Sequence, residues 1–75
     1  MQLTTVDSSM IHAVGYDDET HEMEVVFNSG KVYRYLDVDK SDYEGLLDAD
    51  SKGRYMRANI IGIYADYKIS RRRRR

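Results

Sequence analysis

The sequence predicts an α+β fold: a three-stranded antiparallel β-meander followed by two short helices packed on one of its faces. Three observations carry that expectation. Apolar and polar residues alternate on both sides of a turn signal between Met23 and Tyr35. A β-branched and apolar run from Ser8 to Tyr16 precedes this hairpin. After Asp37-Val38-Asp39 the apolar spacing lengthens from two to that of a helix, at Tyr43, Leu46 and Leu47 and again at Tyr55, Met56, Ile60 and Tyr64.

Met1 to Asp7 reads as a loose or edge segment. Ser8 to Tyr16 is the first strand, with Val14 and Tyr16 on one face and Ile11 on the other unless a bulge near Gly15 shifts them. The acidic stretch Asp17-Asp18-Glu19-Thr20 is a solvated loop leading into the hairpin. There the loop length sets the register. A two-residue loop at Ser29-Gly30 would turn both tyrosines onto the glutamate face. A three-residue loop, Asn28-Ser29-Gly30, with Gly30 left-handed, pairs Met23 with Tyr35 and Val25 with Tyr33 and brings Glu24 opposite Arg34. Only that register satisfies apolar and charged pairs together.

Asp39 is the expected N-cap of the first helix, with acidic side chains in its first turn. Ser51-Lys52-Gly53 interrupts the helical pattern. A second helix is expected from Arg54 through Tyr55, Met56, Ile60, Ile63 and Tyr64, and Gly62 weakens its last turn by about 1 kcal/mol relative to alanine. Residues 1–67 then make one domain and residues 68–75 a disordered tail, because consecutive arginines repel and carry no apolar surface.

Composition narrows the function. A chain of 75 residues is one domain without room for a deep substrate cavity. It has no cysteine, which removes thiolate chemistry and disulfides and fits a reducing, cytoplasmic setting. No segment has the pattern of a signal peptide or a membrane span. Charge is divided sharply. Residues 1–50 carry twelve acidic and three basic side chains, and residues 51–75 nine basic and one acidic. Such asymmetry suits a surface for a polyanion or a tail that folds back on its own acidic half.

The motif series Val6-x-Ser8-Ser9-x-Ile11-x-x-Val14-Gly15-Tyr16-Asp17, Val25-x-Phe27-x-x-Gly30-x-x-Tyr33-x-Tyr35-x-x-Val38 and Tyr43-x-x-Leu46-Leu47-x-Ala49-x-Ser51-x-Gly53-x-Tyr55, with Ile60 and Tyr64, resembles the KTSC domain. That small bacterial and phage module is named after the C-terminus of some lysyl-tRNA synthetases and has a central Tyr-x-Tyr motif. The resemblance spans Val6 to Tyr64 and implies an RNA-binding role without catalytic residues. Two positions depart from the family pattern: Asp39 stands where proline is common, so capping would fix the turn, and Met56-Arg57 stands where phenylalanine and asparagine are common.

Candidate contacts follow from residue chemistry. Ser51, Lys52 and Arg54 at a helix start, extended by Arg57, would suit a phosphate; otherwise Ser51 only caps and the cations are solvated. Arg71, Arg72, Arg73, Arg74 and Arg75 would give a salt-dependent grip on nucleic acid, or remain a solvated tail. Tyr33 and Tyr35 read first as core and in the alternative as a base-stacking platform. His12 and His21 stand at no spacing that implies a triad, and the acids lack the pattern of a calcium loop. The expectation is a non-catalytic, cofactor-free nucleic-acid-binding accessory domain, with RNA as partner, acting as a monomer or weak dimer. The alternative is a protein-interaction module, or a phage-type modulator of a host protein, that uses its acidic half.

Overall fold

The computed structural model describes residues 2–69 of the chain. Their elements are β1 (Leu3–Thr5), β2 (Ile11–Asp17), β3 (Glu22–Phe27), β4 (Val32–Tyr35), α1 (Lys40–Asp48), α2 (Lys52–Asn59) and β5 (Asp66–Ile69). One antiparallel sheet takes the strands in the order β1-β2-β3-β4-β5. The expected three-stranded meander is the centre of this sheet, which has five strands rather than three. Both additional strands are edges. Leu3-Thr4-Thr5 and Asp66-Tyr67-Lys68-Ile69 are short and mostly exposed, and edges kept short and polar resist pairing with other chains at the cost of a legible pattern.

β5 also corrects the boundary at residue 68. Lys68 and Ile69, assigned by sequence to the tail, pair with Tyr33 and Val32 of β4. Val32 and Tyr35 are buried, so the second edge of β4 has backbone donors and acceptors that need partners. The arginines Arg71 to Arg75 lie outside the described residues.

The hairpin has the register expected from its alternation: Met23 faces Tyr35, Glu24 faces Arg34, Val25 faces Tyr33 and Val26 faces Val32. The Phe27 N–H donates to the Lys31 carbonyl and the Gly30 N–H to the Phe27 carbonyl, each at 2.9 Å. This closes the three-residue loop with Gly30 at φ +96°, the left-handed region that favours glycine. On the outer face Arg34 reaches Glu24 at 2.6 Å and Glu22 at 3.2 Å.

In β2 the irregularity lies between Ile11 and Ala13, not at Gly15. The extra residue turns Ile11 onto the face of Val14, and both are fully buried. Ile11, Val14, Met23, Val25 and Tyr35 from the sheet meet Val38, Leu46 of α1, and Met56 and Ile60 of α2 in a single core. Each such side chain contributes about 1.5–3 kcal/mol on burial, and both helices lie on this one face. The opposite face is uncovered, with Leu3 and Tyr67 43% and 47% exposed.

Helix ends follow the expected positions more closely than the expected chemistry. The Ser51 hydroxyl accepts the Arg54 N–H at 3.3 Å and caps α2. Asp39 stands at the N-cap of α1, yet its carboxylate makes no capping bond. The turn before it is held instead through Val38, whose N–H donates to the His21 carbonyl at 2.7 Å and whose carbonyl accepts the Tyr16 hydroxyl at 2.6 Å. α2 stops at Asn59, and the chain turns at Gly62 with φ +83°. Ile63 is therefore not helical, and it is 62% exposed rather than on a buried face.

Candidate functional site

The β3–β4 loop, the segment before β2 and the start of α2 converge at one end of the sheet. Their meeting is enforced by backbone: the Asn28 N–H donates to the Met10 carbonyl at 2.9 Å, and the Asn28 amide donates to the Ser8 carbonyl at 3.0 Å. The result is an open groove of about 500 Å³, lined by Met10, Phe27, Asn28 and Lys31 on the sheet side and by Ser51 and Arg57 on the helix side. Serines 9 and 29 add two hydroxyls. Among the described residues, no carboxylate lines it.

Its cations form no ion pair among the described residues. Among the described residues the ion pairs are Arg34 with Glu22 and Glu24, and Lys40 with Asp18. Neither Lys31 nor Arg57 takes part. The Arg57 guanidinium rests on the Met10 sulfur at 3.6 Å, a contact that orients the side chain over the groove without cancelling its charge. The hydroxyls are poised to donate. Ser51 already accepts from Arg54 and Ser29 from the Lys31 N–H at 3.4 Å, which leaves each O–H for an acceptor. Cations and donors without carboxylates match the chemistry of a phosphate.

The helix start expected from sequence is divided by the fold. Arg57 enters the groove, but Lys52 donates to the Ala49 carbonyl at 2.9 Å and lines a separate cleft that contains Asp7 and Asp50. Arg54 lines a third depression, beside Asp50, Tyr55 and Ala58. Ser51 touches all three because it sits at the turn between them. Lys31 is the cation that sequence reasoning passed over. The hairpin loop fixes its place at the end of β4, but nothing local says that Arg57 will face it.

The Tyr-x-Tyr pair belongs to the core side of the sheet. Tyr35 is 2% exposed, and burial, with Asp66 and Tyr33 nearby, pushes its hydroxyl up to about 12. Its ring cannot serve as a stacking platform for a base. Tyr33 is half-buried; it stacks on Tyr35 at 6.4 Å and meets Phe27 edge-on at 5.9 Å. Of these aromatics, Phe27 is the one that reaches the groove.

The other end of the sheet is internally satisfied. The Asp17 carboxylate accepts the Glu19 and Thr20 N–H groups at 2.9 and 3.3 Å, which hold it below its ordinary range. Asp18 pairs with Lys40 at 2.9 Å. Asp42 of α1 accepts the Tyr55 hydroxyl at 3.0 Å and the Tyr64 hydroxyl at 2.6 Å, fastening α1 to α2 and to the segment that follows it. Burial foremost raises Tyr55, and the bond to Asp42 foremost raises Tyr64. Tyr55 passes so close to Gly45 that a Cβ there would collide with its phenol, so glycine at 45 is what admits the clamp. His12 and His21 are exposed, and His21 stacks on Tyr16 at 6.4 Å.

The fold defines a small α+β domain, a five-stranded antiparallel sheet closed on one face by two helices. The chain belongs to the KTSC domain family, whose pattern matches residues 7–64. It is similar to an uncharacterized protein of Stutzerimonas stutzeri, 42% identical over 55 residues that cover 73% of this chain and 78% of the relative. A protein of Tsukamurella paurometabola is 37% identical over 51 residues, covering 68% and 76%. The crystal structure of a KTSC domain protein from Yersinia pestis superimposes with a TM-score of 0.89 at 33% identity, covering 92% of this chain and 97% of that one.

Proposed function

We propose that this KTSC domain is a small non-catalytic nucleic-acid-binding module that takes single-stranded nucleic acid, RNA foremost, by its phosphates. The observation that carries the reading is the placement of Lys31 and Arg57 across one groove, with no carboxylate partner among the described residues. Surface cations are ordinarily mixed with acids, as Lys52 is with Asp7 and Asp50. A groove that holds two cations and serine hydroxyls, with no carboxylate among its described lining residues, gains Coulomb energy when a phosphate enters and breaks no ion pair. Its size supports a single strand over a duplex, since a space of about 500 Å³ takes one nucleotide unit and no double helix. Half-buried Phe27 on its wall offers an apolar surface for a base.

The test is fluorescence anisotropy of a labelled single-stranded RNA with the full chain and with the double variant Lys31→Glu, Arg57→Glu. Reversing two phosphate contacts is expected to weaken binding at least tenfold at low salt. The melting temperature should be nearly unchanged, because neither side chain is ion-paired or buried. Unchanged affinity in the variant would sink the proposal. Binding to a cellular protein that survives this variant but is lost on reversing Asp17, Asp18 and Glu19 would assign the interface to the acidic end instead.

A further inference from the structure

Met10 is held in the groove by both ends of its backbone. Its N–H donates to the Ser8 hydroxyl at 3.1 Å, and its carbonyl accepts the Asn28 N–H at 2.9 Å. The side chain then lies along the face of α2 that carries Gly53 and, one turn on, Arg57. A Cβ added at Gly53 would come within 3.0 Å of the Met10 sulfur, so the helix backbone closes that side of the thioether. The Arg57 guanidinium donates to the same sulfur at 3.6 Å, and Met10 lines the open groove beside it.

A half-buried thioether on the wall of an open groove is accessible to oxidants, and this one has few competitors. The chain has no cysteine and no tryptophan. Of its four methionines, Met23 and Met56 are fully buried in the core, and Met1 lies outside the described residues. Hydrogen peroxide reacts at sulfur by oxygen transfer: the sulfur lone pair forms the S–O bond as the O–O bond breaks, and the remaining oxygen leaves as water. Sulfur loses two electrons and the peroxide gains them, so the step needs no further reactant. With Gly53 packed behind the sulfur, the new oxygen enters on the groove side, where the guanidinium already is. A thioether is a weak acceptor. A sulfoxide oxygen carries partial negative charge, so Arg57 exchanges a weak contact for a charge-assisted hydrogen bond.

Resting on the reading that the groove binds nucleic acid, we infer that Met10 is a reversible oxidation site whose sulfoxide withdraws Arg57 from the phosphate. The reduced thioether orients the guanidinium and leaves its donors to an anion. The sulfoxide takes those donors and sets a partly negative oxygen in the path of the phosphate. Oxidation therefore lowers affinity without removing any charge from the chain. A thiol-dependent methionine sulfoxide reductase returns the groove to its first state.

The experiment treats the full chain and Met10→Leu with hydrogen peroxide, follows each methionine by peptide mass spectrometry, and measures a labelled single-stranded RNA by fluorescence anisotropy before and after. Met10 should oxidise at least about tenfold faster than Met23 and Met56. The oxidised wild type should bind at least about fivefold more weakly, in step with the fraction of Met10 sulfoxide, and reductase treatment should restore it. Peroxide should change the affinity of Met10→Leu by less than about twofold, although Met1 is present in both chains. Met10 oxidation no faster than that of the buried methionines, unchanged affinity after oxidation, a loss the reductase does not reverse, or an equal loss in Met10→Leu overturns the switch while the groove reading stands. Lost far-UV circular dichroism in the oxidised chain overturns it too, since the weakening would then come from unfolding. If the reduced wild type binds no RNA, the functional reading fails and the switch fails with it.

Discussion

The two ends of the sheet differ in how completely they satisfy themselves. At the acidic end the Asp17 carboxylate bonds its own turn, Asp18 holds Lys40, Tyr16 holds Val38, and Asp42 receives two tyrosine hydroxyls. At the groove end Lys31 and Arg57 line one groove without an ion-pair partner among the described residues, and the Arg57 guanidinium rests on the Met10 sulfur. Both ends are polar, but their polarity serves different purposes. A polar group that already has a partner stabilises the fold, whereas one left without is available to a ligand and costs stability if it repels its neighbour.

That contrast breaks most readily at Asp42. Replacing it with alanine removes the acceptor of two hydroxyls that bridge helices, and the expected loss is about 2–4 kcal/mol, measured by chemical denaturation. A loss below about 0.5 kcal/mol would mean that the acidic end is no better tied than the groove.

A second effect, on the order of 2 kcal/mol, concerns alkaline pH. Tyr35 stays protonated in the fold up to about 12, whereas in the unfolded chain it ionises near 10. Its contribution is present below pH 10 and is lost as pH rises through that interval, because unfolding then releases a proton that the core retained. Melting temperatures of the wild type should fall between about pH 10 and 12, and Tyr35→Phe should flatten that fall. A variant curve parallel to the wild type would place the alkaline transition elsewhere, with Tyr16, Tyr55 and Tyr64, all raised, as the alternatives.

The smallest effect belongs to Asp17. Its depressed carboxylate stabilises the loop above its ordinary value of 3.8, and that contribution disappears as pH falls through the folded-state value. Asp17→Asn should therefore reduce the difference in melting temperature between neutral pH and about pH 2. If the difference is unchanged, the loop bonds do not contribute to stability.

Much of the fold could be read without coordinates, and the exceptions are physical. The hairpin register was legible because the side-chain period of two and the loop length leave one arrangement that pairs Met23 with Tyr35 and Glu24 with Arg34 at once. The capping serine and the turn from sheet to helix at Asp37 to Asp39 were legible from local chemistry in the same way. β1 and β5 were not, because three and four residues of an exposed edge hold too few periods to rise above the surrounding loop. Asp39 shows a different failure. A carboxylate at the right position does not have to cap when Val38 already anchors the turn from both of its backbone groups.

For the candidate site the division falls between residue type and assembly. The sequence alone supplied Arg57 within the basic C-terminal third and the serine-glycine start of α2, but not Lys31. Only the tertiary structure separated Arg57 from Lys52 and Arg54 and set it across a groove from Lys31. Spacing along one chain settles which side chains share a face of one element. Which faces of different elements meet is decided by core packing, through Ile11, Met23, Leu46 and Met56, none of which carries a charge or touches a phosphate.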